Sequence, residues 1–293
     1  MTADLAKLRA EHLVTAAELA ELIETDPALV VLDVRFVLGA DDGEAQYDAG
    51  HIPGAVYVDR ANDLAGPDDP AAGRRPLPAV ADFEAKARSW GINDDSNIVI
   101  YDDRAGMSAT RAWWLLRWAG AKRVRLLDGA WPAWVAGGLP VSSQRPTPVH
   151  GSVSFDGGHL PQVQVDEVLA YARDAALFDA RGFRAYAGDG GEGATGHIPG
   201  AHSFPAATHL NEHGFFASAE EILDEARGHG IVPGTEFAAY CGGGVSASNL
   251  LFALSSVGIT GRLYNGSWSQ WSHDPSRPVA VGVSAEDERI INA

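Results

Sequence analysis

Apolar residues fall in short continuous runs that alternate with longer stretches of helical spacing. The clearest runs lie at residues 29–32, 98–101, 124–127 and 237–240. The stretches with apolar residues every three or four positions lie at residues 16–24, 80–90, 108–119 and 246–257. The runs are typical of buried strands, and the stretches are typical of amphipathic helices. Their alternation predicts an α/β fold in which each mainly parallel sheet carries helices on both faces.

One pattern of residues occurs twice along the chain. The hexapeptide Gly-His-Ile-Pro-Gly-Ala at residues 50–55 recurs letter for letter at residues 196–201. Other matching segments keep the same order, and they lie at residues 32–35 and 178–181, 98–101 and 237–240, and 129–134 and 266–271. A match that extends over so many elements indicates one fold that has been duplicated.

A stretch rich in Ser, Pro and Gly separates the two copies. It runs from residue 142 to about residue 162 and lacks sustained periodicity, as is typical of a linker. We therefore expect an N-terminal domain at residues 1–142, a linker at residues 143–160 and a C-terminal domain at residues 161–293.

The charge balance limits the possible partners. The chain has 39 acidic and 22 basic residues and a formal charge of -17. Such a charge repels nucleic-acid phosphates and anionic membrane surfaces, so the sequence predicts neither as a partner. To bind an anionic small molecule, this acidic chain needs a local pocket of positive charge. The sequence does not determine the oligomeric state.

The chain has a single cysteine, which excludes an internal disulfide and a zinc cluster of several thiolates. The first residues mix charges where a signal peptide needs an apolar segment, and no apolar run reaches the roughly 18 residues of a membrane span. We therefore expect a cytoplasmic protein.

That cysteine, Cys241, begins a glycine-rich loop between a predicted strand and a predicted helix. Consecutive glycines allow backbone amides to turn toward one point, and the positive end of the helix adds to the field. Such a loop stabilises a thiolate, which is the reactive form of cysteine, and also the terminal sulfur of a persulfide. We interpret Cys241 as a nucleophile, and the alternative is a small buried apolar side chain in a tight turn. The predicted loop donors are the amides of Gly242, Gly243, Gly244, Val245, Ser246 and Ala247.

The first copy lacks this thiol. After Tyr101 it reads Asp-Asp-Arg-Ala-Gly-Met-Ser, so Asp102 or Asp103 stands in the place of the cysteine. A carboxylate cannot carry a sulfane sulfur, and we expect the first domain to be catalytically inactive.

The hexapeptides, the Asp-Ala-Arg and Gly-Ser-Trp-Ser-Gln-Trp segments and the cysteine loop together resemble the tandem-domain sulfurtransferases. This family contains thiosulfate sulfurtransferase (rhodanese) and 3-mercaptopyruvate sulfurtransferase, and the resemblance covers about residues 10–285. It implies two rhodanese-like domains and an enzyme that needs neither a metal nor an organic cofactor. By this resemblance Cys241 takes a sulfur atom from a small anionic donor and passes it to a thiophilic acceptor such as cyanide or a thiol.

The resemblance also assigns residues that bind the donor. Arg181 matches the family arginine that binds carboxylate or sulfonate oxygens, and a structural ion pair is the alternative role. A second family arginine normally lies shortly before the Gly-His-Ile-Pro-Gly segment. That stretch has no arginine here, and Arg184 is the substitute that the sequence offers.

A family relay of serine, histidine and acid is incomplete. The mercaptopyruvate enzymes typically read Cys-Gly-Ser-Gly-Val-Thr-Ala, and Gly243 replaces their serine. The remaining relay residues are His51 and an acid such as Asp41. Because His51 and His197 occupy the same place in both copies, a structural role is the stronger interpretation for both. The choice between thiosulfate and 3-mercaptopyruvate stays open.

Two other functions compete with sulfur transfer. Some cell-cycle phosphatases use a rhodanese-like fold with Cys-x5-Arg, but the sixth position after Cys241 is Ala247, which cannot clamp a phosphoryl group. A noncatalytic sulfur carrier or redox sensor would also use a reactive thiol. Repeated turnover distinguishes an enzyme from a carrier.

Overall fold

A computed structural model describes residues 2–36, 43–188, 195–283 and 289–292. Asp41, the predicted relay acid, lies outside the described residues. The chain forms two compact units. Unit 1 comprises Met1–Gly66, Pro78–Leu160 and Leu210–Ala217, and unit 2 comprises Pro67–Leu77, Pro161–His209 and Ser218–Ala293. The segment Pro67–Leu77 therefore belongs to unit 2, although it lies within the first sequence repeat.

Unit 1 contains the elements that the first repeat predicts. Its helices are α1 (Thr2–His12), α2 (Ala16–Thr25), α3 (Gly43–Ala49), α4 (Val80–Ser89), α5 (Ala109–Ala119) and α6 (Ala130–Ala136). Its strands are β1 (Leu13–Val14), β2 (Leu29–Asp33), β3 (Val56–Tyr57), β4 (Asn97–Tyr101) and β5 (Arg123–Leu127). They form one sheet in the order β1-β5-β4-β2-β3, and every neighbouring pair is parallel.

Local sequence explains the start of α2 and the burial of β4. Thr15 accepts the Glu18 amide while the Glu18 carboxylate accepts the Thr15 amide, which is a capping box. In β4 the run Asn-Ile-Val-Ile-Tyr is buried from its second residue, as expected for a central strand of a parallel sheet. Val99 and Tyr101 join the core cluster that also contains Trp134.

Unit 2 repeats this architecture in a shorter form. Its helices are α7 (Val168–Asp174), α8 (Phe183–Ala187), α9 (Ala219–Gly228), α10 (Val245–Ser255) and α11 (Ser267–Trp271), with a 3-10 turn at Ala206–His209. Its strands are β6 (Leu177–Asp179), β7 (His202–Ser203), β8 (Ala238–Tyr240), β9 (Arg262–Leu263), β10 (Val279–Val281) and β11 (Arg289–Asn292).

The main sheet of unit 2 has the same strand order as the sheet of unit 1. Strands β7-β6-β8-β9 are all parallel and match β3-β2-β4-β5, while β10 and β11 form a separate antiparallel pair. The predicted α/β fold with parallel sheets is confirmed, and the duplication seen in the sequence is a duplication of topology. Trp271 packs in the core of unit 2 as Trp134 does in unit 1.

In a parallel sheet the carboxyl ends of neighbouring strands meet at one edge, where ligands bind. In unit 2 this edge carries Asp179 at the end of β6 and Tyr240 at the end of β8. Cys241 follows Tyr240 directly. No helix within the described residues is both long enough and apolar enough to cross a bilayer.

Candidate functional site

Cys241 occupies the loop between β8 and α10. The thiol is buried, with the residue 2% exposed, and it forms no disulfide. Gly242, Val245 and Ser246 are partly exposed, so the loop borders solvent. Gly244 has φ +79°, a conformation that glycine adopts without a steric penalty. The glycines therefore allow the sharp turn from strand to helix directly after the thiol.

The equivalent loop of the first repeat already holds an anion. Asp102 follows β4 as Cys241 follows β8, and its carboxylate accepts four backbone amides. The donors lie at 2.6 to 3.0 Å and belong to Arg104, Gly106, Ser108 and Ala109. Converging amides of this kind form an anion-binding nest. In the first repeat the strand-to-helix loop thus surrounds a carboxylate with N–H groups.

The two loops share their backbone frame. The amide of Trp131 donates to the carbonyl oxygen of Asp102 at 2.8 Å, and the amide of Trp268 donates to that of Cys241 at 2.9 Å. In each repeat the isoleucine amide of the Gly-His-Ile-Pro-Gly segment donates, at 3.1 Å, to the hydroxyl of the tyrosine that precedes the loop. Cys241 therefore stands where the nest of the first repeat holds its carboxylate.

In the second repeat a serine hydroxyl replaces part of that carboxylate. Ser267 Oγ accepts the amides of Cys241 at 3.2 Å and Gly244 at 3.1 Å, and it donates to the carbonyl oxygen of Tyr264 at 2.9 Å. Ser267 is fully buried and has φ +55°, which is uncommon for a residue other than glycine. Its repeat-mate Ala130 has φ +56°, so the fold imposes this conformation in both copies.

The first turn of α10 supplies further donors. The first four N–H groups of an α-helix have no acceptor within the helix, and here they belong to the N-cap Gly244 and to residues 245–247. They carry the positive end of the helix dipole. Because two loop amides are held by Ser267, the helix start and the amides of Gly242 and Gly243 are the groups available to a sulfur anion.

An arginine from the segment Pro67–Leu77 borders the same loop. Arg75 Nη1 lies 3.3 Å from the position that a Cβ on Gly243 would take. Burial and the charge of Arg74 lower the pKa of Arg75, whereas the charge of Cys241 opposes that shift. The guanidinium therefore lies close enough to Cys241 for its positive charge to attract a thiolate there.

Arg181 is held in a network with Asp179. Its Nε and Nη2 donate to the Asp179 carboxylate, Nη2 also donates to the carbonyl oxygen of Gly196 at 2.6 Å, and Nη1 donates to Thr195 Oγ1 at 2.7 Å. The guanidinium carbon lies 4.6 Å from the centre of the Trp268 ring. Burial acts to lower the pKa of Arg181, but the hydrogen bond and charge of Asp179, together with the charge of Cys241, raise it overall.

The first repeat contains the same arginine network without a thiol. Arg35 donates to the Asp33 carboxylate and to the carbonyl oxygen of Gly50, and it lies 4.6 Å above the Trp131 ring. The shared geometry is that of the structural ion pair given above as the alternative for Arg181. A bidentate contact from Arg181 to a donor would compete with bonds that the guanidinium already makes.

The remaining predicted residues lie in different settings. His51 is fully buried, and its ring nitrogens face the carbonyl oxygens of Tyr47 at 2.8 Å and Gln144 at 3.1 Å. Its ring stacks on Tyr47 at 3.9 Å, as that of His197 stacks on Tyr186. This repetition agrees with the structural interpretation of both histidines. Arg184 is exposed to solvent on α8.

The described residues contain no group of three or more His, Cys, Asp or Glu side chains arranged to hold a metal ion.

Comparison with known proteins gives the family. The model of the rhodanese-like domain matches the chain twice, at residues 15–137 and 164–274. The chain belongs to the rhodanese-like family. A Mycobacterium tuberculosis protein provisionally named thiosulfate sulfurtransferase SseB is 38% identical over 281 residues, which cover 94% of this chain and 99% of that protein. A Pseudomonas aeruginosa protein provisionally named 3-mercaptopyruvate sulfurtransferase is 40% identical over 92% of this chain and 98% of its own length.

A solved structure supports the same assignment. The crystal structure of SseA from Escherichia coli, described as showing the rhodanese fold of 3-mercaptopyruvate sulfotransferases, has a TM-score of 0.76 and 30% identity. The match covers 87% of this chain and 98% of that structure. The family resemblance inferred from the sequence motifs is confirmed, and the chain is a rhodanese-family sulfurtransferase.

Sequence reasoning missed two residues of the site. Ser267 lies in the Gly-Ser-Trp-Ser-Gln-Trp segment, which we used only as a repeated segment and as a motif of the family resemblance. Arg75 lies in a segment without periodicity inside the first repeat. The adjacent basic pair Arg74 and Arg75 was the available signal, because this strongly acidic chain needs local cations to attract an anion.

Proposed function

We propose that Cys241 carries sulfur between two substrates in a two-step reaction. In the first step the thiolate attacks the outer sulfur of the donor, an S–S bond forms to Cys241, and the donor leaves with the electron pair of its broken bond. In the second step a thiophilic acceptor attacks the terminal sulfur, and the thiolate leaves. Both steps pass through sulfur anions, so stabilisation of negative charge is the main task of the loop.

The observation that carries this proposal is the nest around Asp102. The same loop in the first repeat gathers four amides on a carboxylate, which supports an anionic state for the group that replaces Asp102 at position 241. We assign the amides of Gly242, Gly243 and residues 245–247 to the persulfide and its transition states. Ser267 holds the amides of Cys241 and Gly244 and thereby orients the loop.

The proposed donors are thiosulfate and 3-mercaptopyruvate, which appear in the names of the two relatives. Their shared feature is a sulfane sulfur or thiol attached to an anionic group. The Cys-Gly-Gly-Gly-Val-Ser-Ala loop is closer to the mercaptopyruvate pattern, but it lacks the serine of that pattern. The proposed acceptors are cyanide and small thiols.

We further propose a division of labour between the repeats. The first domain, residues 1–142, contributes no chemistry because Asp102 fills its nest, and the C-terminal domain, residues 161–293, is catalytic. Within that domain Arg181 contributes positive charge near the thiol while its hydrogen bonds hold β6 to the segment that carries Gly196. We assign His51 a structural role and Arg184 no direct one.

The setting that fits this chemistry is the cytoplasm, where the sole cysteine stays reduced. The formal charge of -17 supports small molecules rather than nucleic acids or membranes as partners.

Mass spectrometry of the intact chain tests the proposal. Incubation with thiosulfate or 3-mercaptopyruvate should add one sulfur atom at Cys241, and cyanide should remove it with formation of thiocyanate. Cys241→Ser should abolish the addition while circular dichroism and unfolding stay those of the wild type. Sulfur transfer that survives this substitution refutes the assignment. Loading without repeated turnover would instead indicate a sulfur carrier, and phosphate release from an aryl phosphate would indicate a phosphatase.

A further inference from the structure

The segment Pro67–Leu77 is fastened to the second repeat by contacts of its own. The amide of Arg74 donates to Ser269 Oγ at 2.9 Å, and the side chain of Asn265 donates to the carbonyl oxygen of Arg75 at 3.1 Å. The side chain of Gln270 donates to the carbonyl oxygen of Ala71 at 2.9 Å. The backbone of Arg75 is thus fixed on residues of unit 2.

Gly73 sets the close approach of this segment. A Cβ at Gly73 would lie 2.5 Å from the carbonyl oxygen of Gly266, and its φ is +97°. Any other residue there would strain the backbone and push the segment away from Gly266. Gly266 directly precedes Ser267, which holds the Cys241 loop. The anchored segment therefore adjoins the structure that shapes the site.

Gly243 leaves room for the Arg75 side chain beside the thiol loop. Arg75 Nη1 lies 3.3 Å from the place of an added Cβ, so a side chain at position 243 would crowd the guanidinium. The mercaptopyruvate pattern has a serine at this position. In this chain the glycine that removes the serine also admits an arginine.

The site needs such a cation. The donor is anionic and the chain has a formal charge of -17, so attraction depends on local positive charge. Arg75 is half-buried beside the loop, where its fork of donors matches carboxylate or sulfonate oxygens.

We propose that Arg75 binds the anionic group of the sulfur donor and aligns it at Cys241, in place of the second family arginine that this chain lacks. The assignment rests on the proposed function for the identity of the donor. The electrostatic attraction by Arg75 is independent of sulfur transfer, because it acts on any small anion that approaches the thiol.

Alkylation of the single cysteine measures this attraction without sulfur transfer. Iodoacetate and iodoacetamide react at the same carbon with the same leaving group, but only iodoacetate is anionic. The readout is the ratio of their second-order rate constants at Cys241. Arg75→Ala should lower this ratio about tenfold, as expected for the loss of one charge-assisted hydrogen bond. Arg75→Lys keeps the charge but loses the fork, and it should lower the ratio by less.

Arg74→Ala is the matched control. It removes the same charge one residue away, and alanine keeps the Cβ that lies 3.5 Å from the Gly243 position. Arg74 is exposed, so its ratio should stay within about twofold of the wild type because exposed charges are screened. Arg184→Ala tests the other substitute arginine and should behave in the same way.

Steady-state kinetics with a neutral dithiol as acceptor complete the test. Arg75→Ala should raise the KM for the anionic donor more than it lowers kcat, since the contact exists before and during the reaction. An unchanged alkylation ratio in Arg75→Ala overturns the proposal, and so does an equal fall in Arg74→Ala. Equal slowing of both reagents with a lower Tm would show a purely structural role and would also overturn it. If the ratio falls but no donor forms a persulfide, the proposed function fails and the role of Arg75 in anion binding stands.

Discussion

Removal of one hydroxyl, in Ser267→Ala, isolates the part of the site that holds the loop. The substitution leaves the amides of Cys241 and Gly244 without their acceptor and frees the carbonyl oxygen of Tyr264. Alanine itself is tolerated by the backbone, because Ala130 adopts the same positive φ at the equivalent position. The loss is therefore one of hydrogen bonding and not of backbone conformation.

The size of the effect follows from the two amides. A buried donor without a partner costs about 1–3 kcal/mol, and water cannot easily replace the hydroxyl because Ser267 is fully buried. The two hydrogen bonds, at 3.2 and 3.1 Å, are at the long end of the normal range. We therefore take the cost of losing each one from the lower half of that range of energies. We expect the free energy of unfolding to fall by about 3 kcal/mol. We also expect kcat/KM for sulfur transfer to fall between about tenfold and a hundredfold, because the thiol and its loop donors lose their alignment.

Urea unfolding and steady-state kinetics measure both effects. Ser272→Ala is the matched control, since Ser272 is exposed and its side chain donates only to the carbonyl oxygen of Trp268 in the preceding helix α11. It should change stability by less than about 0.5 kcal/mol and leave kcat/KM at the wild-type value. A Ser267→Ala protein as stable and as active as the Ser272→Ala protein would show that the hydroxyl does not hold the loop.

Three further predictions concern the anion nest, the arginine networks and a buried histidine. Asp102→Ala should lower the free energy of unfolding by about 4 kcal/mol in urea titrations, because four amides lose their acceptor, while the persulfide at Cys241 still forms on mass spectrometry. Arg181→Ala should destabilise the chain by about 3–5 kcal/mol, since it leaves the buried carboxylate of Asp179 unpaired, and an effect on KM without loss of stability would contradict the ion-pair role. Burial, with a smaller contribution from the charge of His229, lowers the pKa of His209 from 6.5 to about 4, so the unfolded chain takes up a proton there before the folded chain does. Stability is therefore lost as the pH falls from about 6.5 toward about 4. The loss between pH 7 and pH 5 should be about 2 kcal/mol. His209→Leu should remove that part of the pH dependence of urea unfolding.

Much of the fold followed from local patterns. The predicted strand at residues 98–101 is observed as β4 (Asn97–Tyr101), and the predicted helix at residues 108–119 as α5 (Ala109–Ala119). Periodicity sets these elements because a strand or helix must bury its apolar side, whatever its neighbours are. The repeated segments also predicted one fold present twice, and the orders β3-β2-β4-β5 and β7-β6-β8-β9 agree with that prediction.

The position of the thiol was likewise readable from the chain. A cysteine directly after an apolar run and before glycines stands at the carboxyl edge of a parallel sheet, and the loop at β8 and α10 lies there. The single cysteine excluded an internal disulfide, and the acidic charge predicted small partners. These conclusions depend on the order and type of neighbouring residues alone.

The tertiary structure decided which groups surround the thiol. Ser267 accepts the Cys241 amide from 26 positions away in the sequence. Asn265 donates to the backbone of Arg75, which lies 190 positions away. It also gave Arg181 its partner Asp179, in a geometry shared with Arg35 and Asp33. Contacts between residues so far apart depend on the packing of complete elements, and no local spacing records them. The sequence thus determined the duplicated fold and the place of the thiol, while the packing of the chain determined which serine, arginine and ion pair lie around it.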